Sequence, residues 1–302
     1  MSRRGTLLLV LFAVLVGGSF AVRRGGASDA PDRMWGGFGV TDGHFTRPRA
    51  IAIDPQDRAY IVDFAARIQV FDTDGDYLGP TWQTPDYRNG RPSGLGIDRD
   101  GHLIVCDSHY HCLRIYDAAG HELRVIRGEF GYISDAVQDR GSGRIFLSEF
   151  GDRDRITCLE ADGTPVRSWG GSGAGPGQMN RIRALALGPD GLLYAADSCN
   201  HRIQVFDLEG GFVREFGEPG TQPGQLSYPY DVAFGPTGEL YVSEYGNHRI
   251  QKFDTAGKSL GVWGGPGRAP GRLASPWGVA IDSRGGVFVV DTENHRIVKI
   301  RF

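Results

Sequence analysis

A short phrase recurs along this chain and constrains its fold more than any other feature. It reads DSCNHRIQVFD at 197–207, EYGNHRIQKFD at 244–254 and DTENHRIVKIRF at 291–302. Fainter copies read DFAARIQVFD at 63–72, DSHYHCLRIYD at 107–117 and EFGDRDRITCLE at 149–160. The leading acids are Asp63, Asp107, Glu149, Asp197, Glu244 and Asp291, separated by 44, 42, 48, 47 and 47 residues. That period is the length of a propeller blade or a helical-repeat unit, and it outranks any local reading. The array runs from about residue 33 to residue 302, so one closed domain with a sizeable core is expected.

The chemistry of one period decides between the two architectures. RIRALALG (181–188) alternates small and aliphatic side chains, as a strand crowded near an axis does. PDG (189–191) is a turn, LLYAAD (192–197) a second strand, SCNH (198–201) a turn, and RIQVFD (202–207) a third strand. LEGG (208–211) turns again into FVREFG (212–217). Four short antiparallel strands joined by Gly-rich turns describe a propeller blade, so an all-β, six-bladed β-propeller is predicted. The last repeat stops at HRIVKIRF after three strands, while DRMWGGFG (32–39) matches the fourth-strand ends VRSWGGSG (166–173) and LGVWGGPG (260–267). Residues 33–37 should therefore complete the last blade beside 296–302 and close the ring, removing two sheet edges.

The D-x-x-N-H-R-I-x-x-F phrase, the Leu-Tyr-Val strand before it and a Gly-rich loop together resemble the NHL repeat family. The loop copies are GGSGAGPGQMNRI, GEPGTQPGQLSYP and GGPGRAPGRLASP. The resemblance covers roughly residues 33–302; blade one lacks the Asn-His pair and blade three has an extra residue in its turn. It implies a six-bladed propeller that presents one face to proteins, peptides or RNA, or, in peptidyl-hydroxyglycine lyases, a metal held by histidines at inner strand ends. Here the eight histidines (His44, His102, His109, His111, His121, His201, His248 and His295) all lie outside the six predicted inner strands. Lactonase-type propellers hold calcium with Glu and Asn near the axis; the aligned inner positions offer Asp135 and Asp231.

A residue needed once per blade is expected to be structural, because a ligand site is rarely sixfold. The blade-end acids should accept hydrogen bonds from their own turn amides. Arg202, Arg249 and Arg296 should reach a neighbouring acid or carbonyl, and the histidines should pack between blades. The informative positions break the repeat. Aligned inner strands read RPRAIAID, RPSGLGID, YISDAVQD, RIRALALG, YPYDVAFG and SPWGVAID. Their third letters, Arg49, Ser93, Ser134, Arg183, Tyr230 and Trp277, should ring the channel entrance; the fourth are Ala50, Gly94, Asp135, Ala184, Asp231 and Gly278. Polar groups in an aromatic wall are a usual ligand site. Two readings stand side by side: Arg49 and Arg183 clamp a carboxylate or phosphate, or they pair with Asp135 and Asp231 and plug the channel.

Blade two gathers Cys106, His109, His111 and Cys112 within seven residues. That set is a candidate for zinc or copper, but it has no C-x-x-C pair, and a Cys106–Cys112 disulfide or a plain turn is the favoured expectation. No resident cofactor is otherwise indicated; a divalent metal is the open alternative. Gly- and aromatic-rich loops (Trp35, Phe38, Trp82, Tyr87, Trp169, Tyr228, Tyr230, Trp263, Trp277) offer contact anchors, though Trp35, Trp169 and Trp263 fit inter-blade packing. The expected role is a monomeric binding or scaffold propeller for a protein, peptide or small anionic ligand. The alternative is a divergent metal-dependent lyase or lactonase. A net charge of −3 speaks against a nucleic-acid partner. Arg3 and Arg4 before the apolar run 7–16 read as a signal peptide or membrane anchor over 1–21, followed by a linker at 22–32. That places the body outside the cytoplasm, in contact with a membrane only through this segment.

Overall fold

The computed structural model describes residues 30–85 and 90–302. The signal or anchor assigned to 1–21, and most of the linker assigned to 22–32, lie outside the described residues, as does Tyr87. Among the described residues no helix is long and apolar enough to cross a membrane.

Six four-stranded antiparallel sheets surround a central channel, and each sheet is one blade. Blade 4 shows the logic. Its inner strand, Ile182–Leu187, carries Ala184 and Ala186, small enough for six strands to converge on one axis. The next two strands, Leu193–Asp197 and Arg202–Phe206, are buried at every position, because both faces of the sheet meet neighbouring blades. Such two-sided burial gives near-continuous apolar runs instead of a clean alternation. The outer strand, Phe212–Phe216, is largely exposed.

Neighbouring blades lock through one repeated contact. A bulky side chain on the outer strand of one blade slides beneath the turn glycine of the next. Trp35 lies under Gly75 and Trp169 under Gly210, where an added Cβ would come within 2.8 and 2.7 Å of the indole. Those turns also need positive φ (+88° and +91°), so glycine is required twice over. Ring closure uses the same device. Arg33–Gly36 pairs antiparallel with Arg296–Ile300, with Trp35 opposite Ile297. Trp35 then sits between Phe288 of the last blade and Phe71 of the first, at 6.0 and 6.1 Å.

At each blade's upper end the repeated phrase forms a buried polar seam. In blade 4, Asp197 Oδ2 accepts from Arg202 Nε (2.8 Å), Asn200 Nδ2 (2.8 Å) and Gln204 Nε2 (3.0 Å). Asp197 Oδ1 accepts from the Asn180 amide at 2.7 Å. Arg202 spends its remaining donors on the carbonyls of Gly175 and Gln178 and on Glu215. Glu244–Arg249 and Asp291–Arg296 repeat the arrangement at 2.5 and 2.7 Å. The expectation that each acid caps its own turn needs correction. Only Asp63 does so, through Ala65 and Arg67 amides; in blades 4 to 6 the amide comes from the incoming loop, at Asn180, Ser227 and Ala274. Blade 2 has Cys112 where the others have arginine, and Arg114, two residues on and therefore on the same strand face, bonds Asp107 instead at 2.7 Å.

The repeat histidine links one blade to the next. His201, His248 and His295 accept at Nδ1 from the amides of Tyr228, Ser275 and Arg47, at 3.1, 2.8 and 3.0 Å. In blade 3 Asp154 takes this place and accepts from Arg181 at 2.8 Å. The four amides belong to residues with positive φ, Arg47 (51°), Arg181 (58°), Tyr228 (48°) and Ser275 (51°), a conformation that side-chain-bearing residues adopt only when held.

Losing the closing strand removes Trp35 from its slot and exposes the edge of Arg296–Ile300. Burial losses of this kind cost about 3–5 kcal/mol for a tryptophan. A chain starting at residue 41 should therefore melt well below one starting at residue 30, by roughly 6–20 °C for a domain of this size. Equal melting temperatures by calorimetry would show that the ring does not depend on this strand.

Candidate functional site

The six inner strands enclose a cavity of about 330 Å³ along the axis. All of the aligned third-letter residues line it: Arg49, Ser93, Ser134, Arg183, Tyr230 and Trp277. So do Ala50, Gly94, Asp135, Ala184 and Asp231. The physical cause is a β-bulge. Pairing with the second strand skips between Pro48 and Ala50, Ile133 and Asp135, Ile182 and Leu185, and Pro229 and Asp231. Arg49, Ser134, Arg183 and Tyr230 are thus surplus residues, and a bulge re-aims such side chains away from the pleat. The far end of the channel is mostly apolar, with Ile53, Ile97, Leu187, Phe234 and Ile281.

At the mouth, guanidinium groups lie on aromatic rings. Arg49 sits 5.0 Å from the centroid of Trp277 and 5.6 Å from Phe64. Arg183 sits 4.6 Å from Tyr230, 5.5 Å from Phe150 and 5.7 Å from Trp277. Tyr230 is itself stacked on Tyr245 at 4.7 Å. The Nε atoms of Arg49 and Arg183 are buried without a hydrogen-bond partner. Burial, reinforced by the charges of Arg183, Arg91 and Arg47, pushes Arg49 down to about 9, still cationic at neutral pH. Burial also lowers Arg183.

The two acids do something else. Asp135 accepts from the Leu185 amide of the next blade at 2.9 Å; Asp231 accepts from Val279 and from Val232, both at 2.8 Å. Their carboxyls join inner strands of adjacent blades. No ion pair ties either to Arg49 or Arg183, so the plug of paired charges is not what the mouth contains. Burial pushes Asp135 up to about 6. Asp231 is driven well above the carboxylate range by burial and by the charge of Asp135. The two serines are also committed to the frame: Ser93 Oγ donates to the Ile133 carbonyl (2.7 Å) and Ser134 Oγ to that of Ile182 (2.8 Å).

Several mouth residues were absent from the sequence reading. The first letters of the inner-strand alignment include Arg47, Arg91 and Arg181, and Arg91 lies 4.1 Å from the Phe64 ring. Phe64, Phe150 and Tyr245 each follow the blade-end acid directly, whereas blades two, four and six have Ser108, Ser198 and Thr292 there. That alternation was a visible signal. Arg47 alone of these arginines has a carboxylate partner in a described ion pair, Glu293.

Blade two does not assemble a metal centre from Cys106, His109, His111 and Cys112. Asp107 pairs with Cys112 and Cys106 with Leu113, so the two cysteines point to opposite faces of the sheet. The same parity excludes the expected disulfide, and all four cysteines are free. Burial raises the Cys106 and Cys112 thiols, leaving them protonated and unreactive at neutral pH. His109 and His111 pack on Tyr132 at 5.4 and 5.3 Å, and His111 Nδ1 meets the Gly131 carbonyl at 2.8 Å. A divalent cation fits the channel no better. Its lining holds no histidine, its two acids already accept backbone amides, and arginines surround the entrance. Asp98, Asp100 and His102 lie close enough to share an ion, but Asp98 is engaged by the Asp100 and His102 amides of its own turn.

The NHL repeat model matches residues 89–116, 179–206, 226–253 and 273–300, so the chain carries NHL repeats in a six-bladed propeller. Virginiamycin B lyase from Staphylococcus aureus has a similar structure, with a TM-score of 0.62, 17% identity and coverage of 85% of this chain and 95% of that one. A gluconolactonase from Xanthomonas campestris gives a TM-score of 0.65, 16% identity and coverage of 85% and 86%. A nidogen/laminin complex gives 0.58, 18%, 71% and 79%. At these identities the likeness is one of fold.

Raised carboxylates leave a pH signature. The folded state takes up protons at Asp135 and Asp231 more readily than the unfolded chain does. Their contribution to stability is therefore full below the ordinary carboxylate range and is lost as pH rises through about 6 for Asp135. The stability advantage of the wild type over Asp135→Asn/Asp231→Asn should be largest near pH 4 and shrink towards pH 8. Urea unfolding across that range is the check; a pH-independent gap would place both acids outside the buried state described.

Proposed function

We propose that this NHL-repeat propeller is a binding module whose channel mouth captures an anionic group, carried by a small molecule, a peptide or a protein. One observation carries the reading. Arg49 and Arg183 stand charged and half-buried against Trp277, Tyr230, Phe64 and Phe150, with no carboxylate among the described residues in ion-pair contact. Desolvated cations of this kind are costly to the fold alone, and a bound anion offsets the cost through charge-assisted hydrogen bonds. The aromatic rings add a flat apolar wall for the remainder of the ligand. Similar folds occur in a lyase, a gluconolactonase and a nidogen/laminin complex, so the reading rests on the mouth itself. We further place the module outside the cytoplasm, on the strength of the arginine-flanked apolar run at 7–16.

Benzoate is a suitable first probe, being a carboxylate on a flat ring. Its binding should shift Trp277 fluorescence and weaken with salt. Arg49→Ala/Arg183→Ala should lower affinity by about 100-fold or more, given roughly 1.5–3 kcal/mol per charged hydrogen bond. The same double variant should melt at or above the wild-type temperature, because it removes two desolvated charges. Unchanged binding, or a large loss of stability, would return both arginines to a structural role.

A further inference from the structure

We infer that the group this mouth is built to take is a phosphate monoester on a small aromatic molecule, rather than a simple carboxylate. The inference rests on the anion-binding reading above and adds the charge and shape of the anion. Three guanidiniums, Arg49, Arg91 and Arg183, come from blades one, two and four and share one deficiency: each has a buried Nε without a hydrogen-bond partner. They are close to one another. The Phe64 ring has Arg49 at 5.6 Å and Arg91 at 4.1 Å, with Arg47 at 5.3 Å. Arg49 and Arg183 share the Trp277 ring at 5.0 and 5.7 Å.

Charge balance follows from these contacts. Glu293 engages Arg47. Asp135 and Asp231 lie below the ring of arginines, but their oxygens are taken by backbone amides of the inner strands. A monocarboxylate brings one charge and two oxygens, which leaves part of a three-arginine set unserved. A phosphate monoester brings a charge of about −1.5 to −2 at neutral pH and three acceptor oxygens, one for each guanidinium. Planar arginine forks suit such bidentate oxyanion contacts better than ammonium groups do. Trp277, 5.6 Å from Tyr230 and tilted at 44° to it, offers an aromatic contact beside the anion position, while the Tyr230 ring is already packed between Arg183 and Tyr245. The cavity, about 330 Å³ and walled by small residues such as Ala50, Gly94 and Ala184, admits a small molecule and not a folded partner.

Calorimetric titration of the purified full chain with phenyl phosphate, inorganic phosphate and benzoate tests this directly. Phenyl phosphate should bind about tenfold or more tighter than benzoate at pH 7.5, with inorganic phosphate between, as expected for an added charged contact. Its advantage should fall as the phosphate becomes a monoanion near pH 6. Arg91→Gln should cut phenyl phosphate affinity about tenfold and benzoate affinity severalfold less, and Arg91→Lys should restore only part of the phenyl phosphate loss. Benzoate binding as tightly as phenyl phosphate, with Arg91→Gln indifferent, would overturn the inference and leave the anion reading standing. Failure of all three probes to bind would remove both.

Discussion

The structure depends on a buried carboxylate at the top of each blade, hydrogen-bonded through both oxygens except in blade two, where Asp107 Oδ1 has no partner. Burying an ion pair is seldom a net gain unless geometry and additional donors satisfy both partners. Asp197 meets that condition: its oxygens take a guanidinium, two side-chain amides and a loop amide, while Arg202 also holds two loop carbonyls. One network therefore fixes the second strand, the third strand and the loop that delivers the chain to the axis. Blade two shows that the need is for a guanidinium near the acid and not for a fixed position, since Arg114 replaces the absent arginine from two residues away. The histidine beside this network then holds the next blade's positive-φ residue by its amide. Structural repeat and channel mouth are consequently one mechanical unit. Arg47, Arg181 and Tyr228 point where they do because the preceding blade grips their backbone.

That coupling gives the channel a division of labour by depth. Uppermost are arginines on aromatic faces. Beneath them, Asp135 and Asp231 join inner strands across blade boundaries by accepting amides. The lower channel is largely apolar. Bulges produce the first layer: a surplus residue escapes the pleat and swings toward the opening, so Arg49 and Arg183 reach the mouth although neighbouring inner-strand residues pack as alanines.

Much of this was legible before any coordinates. The period, the four strands per blade, closure by residues 33–37 and the residues at the entrance follow from spacing and turn chemistry. What escaped was register. Cys106 and Cys112 look like disulfide partners until Asp107 is known to face Cys112, after which strand parity separates them. Asp135 and Asp231 look like partners for arginine because a sequence shows opposite charges and not the amides of an adjacent blade. Two of the aromatic faces under the arginines, Phe64 and Phe150, and Tyr245, which stacks on Tyr230, lie one residue beyond the repeated acid, where attention to the acid obscured the alternation that followed it. Arg91 was overlooked because the first aligned letter belongs to a turn in most blades, and its inward direction is a property of the loop.

The arginines themselves offer the strongest internal comparison. At the seams the fold has no difficulty satisfying a buried guanidinium. Arg202 gives Nε to Asp197 and its other nitrogens to Glu215 and the carbonyls of Gly175 and Gln178; Arg249 gives Nε to Glu244 and its other nitrogens to the carbonyls of Thr221, Gln222 and Gln225. The same chain, using the same residue type, leaves Arg49 and Arg183 with aromatic faces and no acceptor for Nε. A cation–π contact is worth about 0.5–2 kcal/mol, less than the hydration a buried guanidinium gives up. Packing cannot explain the difference, since alanine or serine occupies the neighbouring inner positions without disturbing the ring. The acceptors withheld at the mouth are therefore a local feature of the site, confined to the one part of the propeller where an open cavity leaves room for an outside anion to supply them.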